Sequence, residues 1–162
     1  MDITIRRAEA DDLEFIWQMW HDVMAQKIYF SYNHTSTRAT IEKSWINLTN
    51  HIYVAIIENE VVGAYILKDN QPGYGNHIAN ASYMVKSERR GLRIGHQLCA
   101  HSIIKAKEVG YKAMQFNLVV STNKGAIKTW LDNGFKIIGT IPEGFHHYQK
   151  GYVDAHIFYR KL

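Results

Sequence analysis

The spacing of apolar residues predicts how the chain begins. Ile3 and Ile5 alternate with polar neighbours, which indicates a short first strand. Apolar residues then recur at helical spacing over residues 13–24, which predicts a first helix. Asp11 followed by Glu14 resembles a capping box at the start of that helix.

A second helix is predicted after an irregular segment. Residues 28–36 are aromatic and polar without a period, which indicates a loop. Ser36 or Thr37 stands where it can cap the helix that follows. The predicted apolar face of that helix consists of Ile41, Trp45 and Leu48.

The rest of the chain alternates between strand and helix patterns. Further strands are predicted at 51–58, 61–68, 78–85, 113–119, 135–141 and 153–160, and further helices before Gly110 and at 124–133. The first two of these strands form a hairpin around Asn59, and loops are expected at 71–76 and 142–152. Segment 78–119 is a β-α-β unit, so its strands should be parallel, whereas the other pairings should be mainly antiparallel.

Composition narrows the class of protein. The chain has 162 residues, which suits one domain over 1–162, and its 46% hydrophobic and 21% charged residues are ordinary for a soluble globular protein. The apolar runs are too short to span a bilayer, and no signal segment opens the chain. Cys99 is the single cysteine, which excludes an intrachain disulfide. We therefore expect a cytoplasmic protein without a membrane partner.

Basic residues cluster in one place only, a turn between the strand 78–85 and the next helix. The net charge is +4, and nucleic-acid binders usually carry a broader basic stripe, so we expect no nucleic-acid partner. The turn contains Arg89, Arg90, Gly91, Arg93 and Gly95. The first amides of a helix have no partner within the helix and bind anions, and glycine lets an anion approach closely. The turn is therefore predicted to hold a phosphate or pyrophosphate.

Two common phosphate-binding patterns do not occur in this turn. The nucleotide P-loop requires Gly-x-x-x-x-Gly-Lys followed by Ser or Thr, and the dinucleotide fold requires Gly-x-Gly-x-x-Gly after a strand. The two glycines of this turn are four residues apart, and a hairpin precedes the β-α-β unit. A coenzyme A site, in which a pyrophosphate rests on a helix start, is the third possibility.

Two segments resemble the GNAT N-acetyltransferase family. The family loop reads Gln/Arg-x-x-Gly-x-Gly/Ala, and the chain has Arg90-Gly91-Leu92-Arg93-Ile94-Gly95, with Arg93 in place of a glycine. The family also carries Asn-x-x-Ala-x-x-x-Tyr-x-x-x-Gly-Phe, and the chain has Asn123-x-x-Ala126-x-x-x-Trp130-x-x-x-Gly134-Phe135. The order of elements resembles the family over nearly the whole chain.

The resemblance implies a fold and a cofactor. The fold would be a single α/β (α+β) domain with a mixed, mostly antiparallel sheet, helices on both faces, and strands 78–85 and 113–119 splayed apart. Acetyl-CoA would insert its pantetheine arm between these two strands, and no metal is implied. The implied cofactor-binding residues are Tyr83, Met84 and Val85 through their backbone, Arg90, Gly91, Leu92, Arg93, Ile94 and Gly95 around the pyrophosphate, and Asn123 and Trp130.

The two departures from the family pattern affect the chemistry. An indole N–H is not a useful proton donor, so Trp130 cannot protonate the leaving thiolate as the family's tyrosine often does. Water or another side chain could donate the proton. Alternatively, no acid is needed, because an alkyl thiol has a pKa of about 8.5 and its thiolate is already a tolerable leaving group. Arg93 keeps its backbone N–H, and its guanidinium either pairs with phosphate or points to solvent.

Candidate acceptor residues lie on the two splayed strands and in the first loop. Asparagine is depleted in strands, so Asn80 and Asn117 either line the acceptor pocket or mark a bulge or a local hydrogen bond. The aromatic run Tyr29, Phe30 and Tyr32, with His34, either covers the acceptor, as this region often does in the family, or packs in the core.

The base that deprotonates the acceptor is left open. Asp154, His147 and Glu143 are candidates, but each could equally be a surface or strand-pairing residue, and a chain of waters to bulk solvent is an alternative. The nine histidines show no metal-binding spacing. Cys99 lies on an apolar helical stripe and is predicted to be a buried hydrophobe rather than a nucleophile.

The sequence therefore favours an acetyl-CoA-dependent N-acetyltransferase acting on a small amino-acid-like amine. Acetylation of a protein N-terminus or lysine is an alternative acceptor class. Because Trp130 replaces the tyrosine, a module that binds acyl-CoA without transfer is a rival hypothesis, and a nucleotide enzyme is a weaker one. A homodimer is compatible with the sequence.

Overall fold

The computed structural model describes residues 2–30 and 36–162. Its strands form one seven-stranded sheet in the order β1-β2-β3-β4-β5-β7-β6. The elements are β1 Thr4–Arg7, α1 Leu13–Ala25, α2 Arg38–Ser44, β2 His51–Ile57, β3 Glu60–Asp69, β4 Ile78–Val85, α3 Ile94–Val109, β5 Ala113–Val120, α4 Lys124–Asp132, β6 Lys136–His147 and β7 Gly151–Lys161. This order of helices and strands is the predicted one.

The pairing of the strands also follows the prediction. β4 and β5 are parallel, and every other neighbouring pair is antiparallel. The β2–β3 hairpin turns at Glu58 and Asn59, which both have left-handed backbones with φ of 50° and 64°. Two such residues form the tight turn whose twist matches the flanking strands.

Helices cover both faces of the sheet. On one face, α1 and α2 bury an apolar layer that includes Ile16, Trp20 and Ile41. On the other face, α3 packs against the sheet through Ile94 and Leu98, and α4 adds Trp130. The mixed α/β architecture with helices on both faces is thus confirmed. Among the described residues, no helix has both the length and the apolar character needed to cross a bilayer.

Gly63 of β3 determines how closely α3 approaches the sheet. A Cβ at this position would lie 3.1 Å from side-chain atoms of Ile94 and Leu98. Only a residue without a side chain lets the first turn of α3 rest directly on the strand. This contact fixes the start of α3 beside the end of β4.

The predicted capping box at Asp11 and Glu14 is wrong. A short 3₁₀ turn, Ala10–Asp12, precedes α1, and the box forms two residues earlier, where the Glu9 N–H donates to the Asp12 carboxylate at 2.7 Å. Arg6 also binds Asp12, at 2.6 Å, and lowers the pKa of its carboxyl group. Glu14 instead forms an ion pair with Arg38 at the start of α2.

The second helix is shorter than its apolar spacing suggested. Thr37 caps it by accepting a hydrogen bond from the Thr40 N–H, as predicted for this position. The helix ends at Ser44, because Trp45 leaves the helical region with φ −129° and ψ −62°. Leu48 therefore lies beyond the helix and is 42% exposed, so its assignment to the apolar face is wrong.

The loop predicted at 142–152 is mostly strand. β6 and β7 form a long hairpin that continues to His147↔Gly151. The register shifts between Ile141 and Phe145, where Glu143 has φ of 52°. A β-bulge absorbs an irregular segment without ending the strand, which is why a proline-containing stretch read as a loop still pairs. The hairpin extends far enough for its turn to reach the cleft described next.

Candidate active site

A cleft opens where β4 and β5 separate. The two strands pair only at Ile78↔Ala113 and Ala79↔Met114. Beyond these pairs lies a cleft of about 1300 Å³. Its walls are formed by β4, β5, the starts of α3 and α4, the β6–β7 turn and residues 28–30. The predicted splayed pair of parallel strands is therefore present.

One edge of β4 faces this gap with its backbone. The Lys86 N–H donates to Val62 O at 2.9 Å, and Ile78 O accepts from the Asn70 N–H at 2.8 Å, so even-numbered positions point toward β3. Backbone direction alternates along a strand, so the N–H and C=O groups of Ala81, Tyr83 and Val85 point toward the gap. These groups can pair with an extended, amide-containing chain.

The same alternation corrects one predicted residue. Met84 is paired with Ala64 of β3, and its even position directs its backbone groups to that strand. The prediction that the Met84 backbone binds the pantetheine arm is therefore wrong. The Met84 side chain is buried against the α1–α2 layer and also lines the cleft.

The start of α3 presents free amides to the cleft. Its first hydrogen bond runs from the Gln97 N–H to Arg93 O, and no side chain caps the helix. The amides of Ile94 and Gly95 therefore have no acceptor within the helix. Arg93 itself has a left-handed backbone, with φ of 59°. This conformation explains why a glycine suits the position, since only glycine adopts it without cost.

The glycines of the turn leave space for a ligand. A Cβ added at Gly91 would meet no atom within 4 Å, and one at Gly95 would meet only Val85 Cγ2 at 4.0 Å. Gly91, Arg93, Ile94 and Gly95 all line the cleft, as predicted. Leu92 does not line it and is 43% exposed, so its side chain takes no part in the cleft wall.

Comparison with known proteins gives the family. The acetyltransferase (GNAT) family matches residues 16–135, which covers both motifs. The chain belongs to this family. The match confirms the family that the two motifs predicted, together with acetyl-CoA as the acyl donor that GNAT acetyltransferases use.

Individual relatives agree with this assignment. A GCN5-related N-acetyltransferase from Kribbella flavida is 35% identical, superposes with a TM-score of 0.94, and is matched over 99% of this chain and 98% of that one. The N-acetyltransferase aca1 of Schizosaccharomyces pombe is 34% identical over 102 residues, which is 62% of this chain. That match spans 49% of the length of aca1.

A more distant GNAT structure contains the cofactor. The acetyltransferase yncA from Salmonella typhimurium, solved with acetyl-CoA, has a TM-score of 0.86 at 18% identity, over 100% of this chain and 95% of that one. At this identity the likeness shows the fold alone. In the present chain, the uncapped start of α3, the open space at Gly95 and the free edge of β4 fit a pyrophosphate followed by an amide-containing arm.

The arginines beside the GNAT loop have different partners. Arg89 and Lys86 both bind Glu60, at 2.6 and 2.8 Å, and lower the pKa of its carboxyl group. Arg90 donates to the Tyr29 hydroxyl at 3.3 Å and lies over the Tyr29 ring. Arg93 is exposed, and its side chain has no hydrogen-bond or ion-pair partner among the described residues. Arg93 is thus the arginine most available to a phosphate.

Trp130 closes the side of the cleft next to α4. It is 9% exposed, and its ring centroid lies 4.7 Å from that of Tyr83 and 4.9 Å from that of Phe116. The Tyr83 hydroxyl bonds Ser102 Oγ at 2.7 Å beneath α3, and burial raises its pKa well above the usual value. Tyr83 is therefore a poorer proton donor than an ordinary tyrosine.

Asn123 caps α4 while lining the cleft. Its Oδ1 accepts from the Ala126 N–H at 3.2 Å, which leaves the Nδ2 group to donate toward the cleft.

Cys99 is fully buried, and burial raises the pKa of its thiol to about 12. The prediction of an inert, buried cysteine is confirmed.

The predicted acceptor residues all belong to the cleft wall. Asn80, Asn117 and Tyr29 all line it. Asn117 lies in a β-bulge of β5, where its side chain accepts from Gln115 at 3.0 Å and donates to Asn70 at 2.7 Å. The bulge and the pocket are therefore both present at Asn117. Of the aromatic run, Tyr32 and His34 lie outside the described residues.

The three candidate bases are in different surroundings. His147 lines the cleft, and its Nδ1 accepts from two backbone amides. Asp154 and Glu143 do not line the cleft; the Asp154 carboxylate accepts from the Glu143 N–H at 3.0 Å on the exposed side of the hairpin. This bond supports the bulge in β6. Asp154 therefore takes part in the pairing of β6 and β7, which was the alternative to a catalytic base in the sequence analysis.

Three residues that the sequence analysis did not assign to the site contribute to it. Phe116 and Lys150 line the cleft, and Ser102 holds the Tyr83 hydroxyl. Ser102 could have been found as the polar residue on an otherwise apolar stripe of α3. Lys150 gave no signal, because it lies in a stretch that read as a loop.

Proposed function

We propose that the chain transfers the acetyl group of acetyl-CoA to the primary amine of a small amino-acid-like metabolite. The observation that carries this proposal is the continuous path from the uncapped start of α3, along the open edge of β4, to the asparagine-lined end of the cleft. A pyrophosphate binds the helix start, and an extended arm pairs with the free strand edge.

Each group of the chain has one task in the reaction. Bound acetyl-CoA supplies an acetyl thioester, which the amine nitrogen attacks at its carbonyl carbon while the carbon–sulfur bond breaks. The amides of Ile94 and Gly95 and the Arg93 guanidinium hold the pyrophosphate. A backbone N–H of Tyr83 or Val85 stabilises the negative charge that develops on the carbonyl oxygen.

Proton transfer is left to solvent. The acceptor ammonium must lose a proton before it attacks, yet the described residues at the acceptor end include no carboxylate. A water chain through the open cleft removes this proton. The departing thiolate needs no acid near neutral pH, because its conjugate thiol has a pKa of about 8.5. Trp130 packs beside the reacting groups and excludes water.

The choice of a small acceptor rests on the shape and lining of the cleft. Residues 28–30, the β6–β7 turn and β4 all contribute to the wall of the cleft, and a concave site of this kind suits a compact ligand. Structures with the same fold include a phosphinothricin N-acetyltransferase and a ribosomal-protein-alanine N-acetyltransferase, at 22% identity each, so the fold alone does not choose between acceptors. The proposal takes residues 1–162 as one catalytic domain in the cytoplasm, and a homodimer stays a prediction.

The experiment is a screen for coenzyme A release. The protein is incubated with acetyl-CoA and a panel of amino acids, polyamines and peptides, and free thiol and acetylated product are both measured. We expect transfer to one or more amino acids. Binding of acetyl-CoA by calorimetry without transfer to any amine would favour the non-catalytic module, and transfer restricted to peptides would favour a protein acceptor.

A further inference from the structure

His147 occupies an unusual position at the end of β6. Its side chain is polar, yet the residue is only 5% exposed, and it lines the cleft. Its Nδ1 accepts hydrogen bonds from the N–H groups of Gln149 and Lys150, at 3.1 and 3.2 Å. Because Nδ1 is an acceptor in both bonds, the ring proton lies on Nε2. The imidazole therefore has its Nε2–H left to donate.

The turn that holds this ring is itself anchored. His147 is paired with Gly151 of β7, and the Lys27 ammonium lies 5.4 Å from the centroid of the Tyr148 ring. A rotation of the imidazole would cost both bonds to the turn amides. The Nε2–H has no hydrogen-bond partner among the described residues, and Nε2 is not one of the buried atoms that lack a partner, so it is open to solvent. A donor that is held in place in the wall of the cleft and open to solvent can bind a ligand oxygen.

The charges around the cleft specify the kind of oxygen. Asp132 is the only acidic residue among the described cleft-lining residues, and Lys128 binds it at 2.8 Å. Lys150 lies in the same turn as His147 and donates its backbone N–H to the imidazole, Asn80 also lines the cleft, and no further acid among the described lining residues balances the Lys150 ammonium. An ammonium would find no counter-ion here, whereas a carboxylate would find several donors.

We propose that His147 determines acceptor specificity by donating its Nε2–H to the carboxylate of an amino acid acceptor, with the Lys150 ammonium as the second contact. This inference rests on the proposed acetyl transfer. It also narrows the acceptor: a free amino acid carries a carboxylate beside its amine, whereas the first residue of a peptide does not. The site therefore selects free amino acids over protein N-termini.

His147 acts here as a donor and not as a base. Nε2 already carries the ring proton, so as a base the ring could take a proton only at Nδ1, which would remove the acceptor of two backbone amides. Those amides would then be left without partners near a buried ring, which is costly. The turn thus holds the imidazole in the neutral form that donates from Nε2.

The test compares each L-amino acid with its primary amide, which has the same amine but no carboxylate. Wild type should prefer the acid through a lower KM. His147→Asn keeps an oxygen acceptor for the turn amides, but its shorter side chain has no donor at the position of Nε2, and it should reduce that preference about 10- to 100-fold, the range for a hydrogen bond to a charged group. His147→Phe should do the same if it folds. The matched control is His146→Asn, since His146 is exposed, stacks on Tyr152 and does not line the cleft.

Two further measurements separate a donor from a base or a structural residue. The pH profile of kcat/KM should keep its shape in His147→Asn, and acetyl-CoA binding by calorimetry should be unchanged. In the ¹⁵N-histidine spectrum of wild type, His147 should show the Nε2–H tautomer, and its Nε2 resonance should shift with added L-amino acid but not with the amide.

The outcomes are distinct. Equal use of acids and amides by an active wild-type enzyme would overturn the His147 assignment and leave the proposed function standing, as would loss of the low-pH limb of the kcat/KM profile in His147→Asn. If no amine accepts acetyl while acetyl-CoA still binds, the proposed function fails. The histidine spectrum then decides the carboxylate site alone, and an unshifted Nε2 resonance would overturn it.

Discussion

The two ends of the cleft are built in different ways. At the cofactor end, the binding groups belong to the backbone: the amides that begin α3 and the free edge of β4, with glycines that leave space. At the proposed acceptor end, the groups are side chains, including Asn80, Asn117 and His147, from segments far apart in the chain. A backbone site is determined by where elements begin and separate, whereas a side-chain site depends on packing that brings distant segments together.

This difference predicts which substitutions each end tolerates. At the cofactor end, side chains should matter only where they occupy the space of the ligand or alter the backbone. At the acceptor end, truncation of a side chain should change the choice of amine and leave cofactor binding intact. The substitutions that follow probe this contrast, beginning with the largest expected effect.

Gly95→Val should weaken acetyl-CoA binding about 100-fold, which corresponds to about 2.7 kcal/mol. A branched side chain would fill the space in front of the helix amides, and about two charge-assisted hydrogen bonds to the pyrophosphate would be lost. The fold should survive, since a Cβ there meets only Val85 Cγ2 at 4.0 Å. Calorimetry with acetyl-CoA measures the effect. Gly139→Val, on β6 and away from the cleft, is the control, and equal affinity in both variants would contradict a pyrophosphate site at α3.

Asn80→Ala should raise the acceptor KM about 10-fold without changing acetyl-CoA affinity, as expected for the loss of one hydrogen bond to ligand. Asn117→Ala should have a smaller effect, about threefold, because its amide already binds Gln115 and Asn70 and reaches the ligand only in part. Steady-state kinetics with the best amine gives both values. Wild-type constants in both variants would remove the strand asparagines from the acceptor site.

The same contrast explains what could be predicted from sequence. The loop 90–95 and the helix it begins were identified because helix starts and glycines carry local signals, and the splay followed from family resemblance. The alternation that excludes the Met84 backbone could not be predicted, because it depends on the register between β3 and β4. His147 was identified only as a candidate base, because its tautomer is set by hydrogen bonds within the β6–β7 turn. The strand pairing that forms this turn could not be predicted, since the bulge at Glu143 makes the segment look like a loop in the sequence.

Arg93→Gly separates the two contributions of one residue at the cofactor end. Arg93 has a left-handed backbone, a conformation that costs a residue with a side chain about 1–2 kcal/mol of folding free energy. Glycine avoids this cost but loses more conformational entropy on folding, which offsets part of the gain. The variant should therefore be more stable by up to about 1 kcal/mol in denaturant unfolding. Acetyl-CoA affinity should fall several-fold at low salt and less at high salt, because the guanidinium contribution is screened.

A stability gain without any change in affinity would mean that the Arg93 side chain points to solvent and that the backbone alone binds the phosphate. That result would sharpen the contrast between the two ends. Arg89→Gln provides a reference for the surrounding charge, since Arg89 is held by Glu60 and should contribute less to the salt dependence.

Trp130→Tyr should have the smallest effect. The substitution restores the residue type of the family motif, and its hydroxyl would enter a wall where Trp130 now packs on Tyr83 and Phe116. If the thiolate leaves without an acid, the kcat of Trp130→Tyr should differ from that of wild type by less than about threefold, measured between pH 7 and 8. The reason is that a thiol pKa of about 8.5 makes the thiolate a tolerable leaving group. Trp130→Phe, which also lacks an acid, is the matched control for the altered packing. A kcat that rises at least tenfold in the tyrosine variant and not in the phenylalanine variant would show that protonation of the thiolate limits this enzyme. The cofactor end would then depend on a side chain as well as on its backbone.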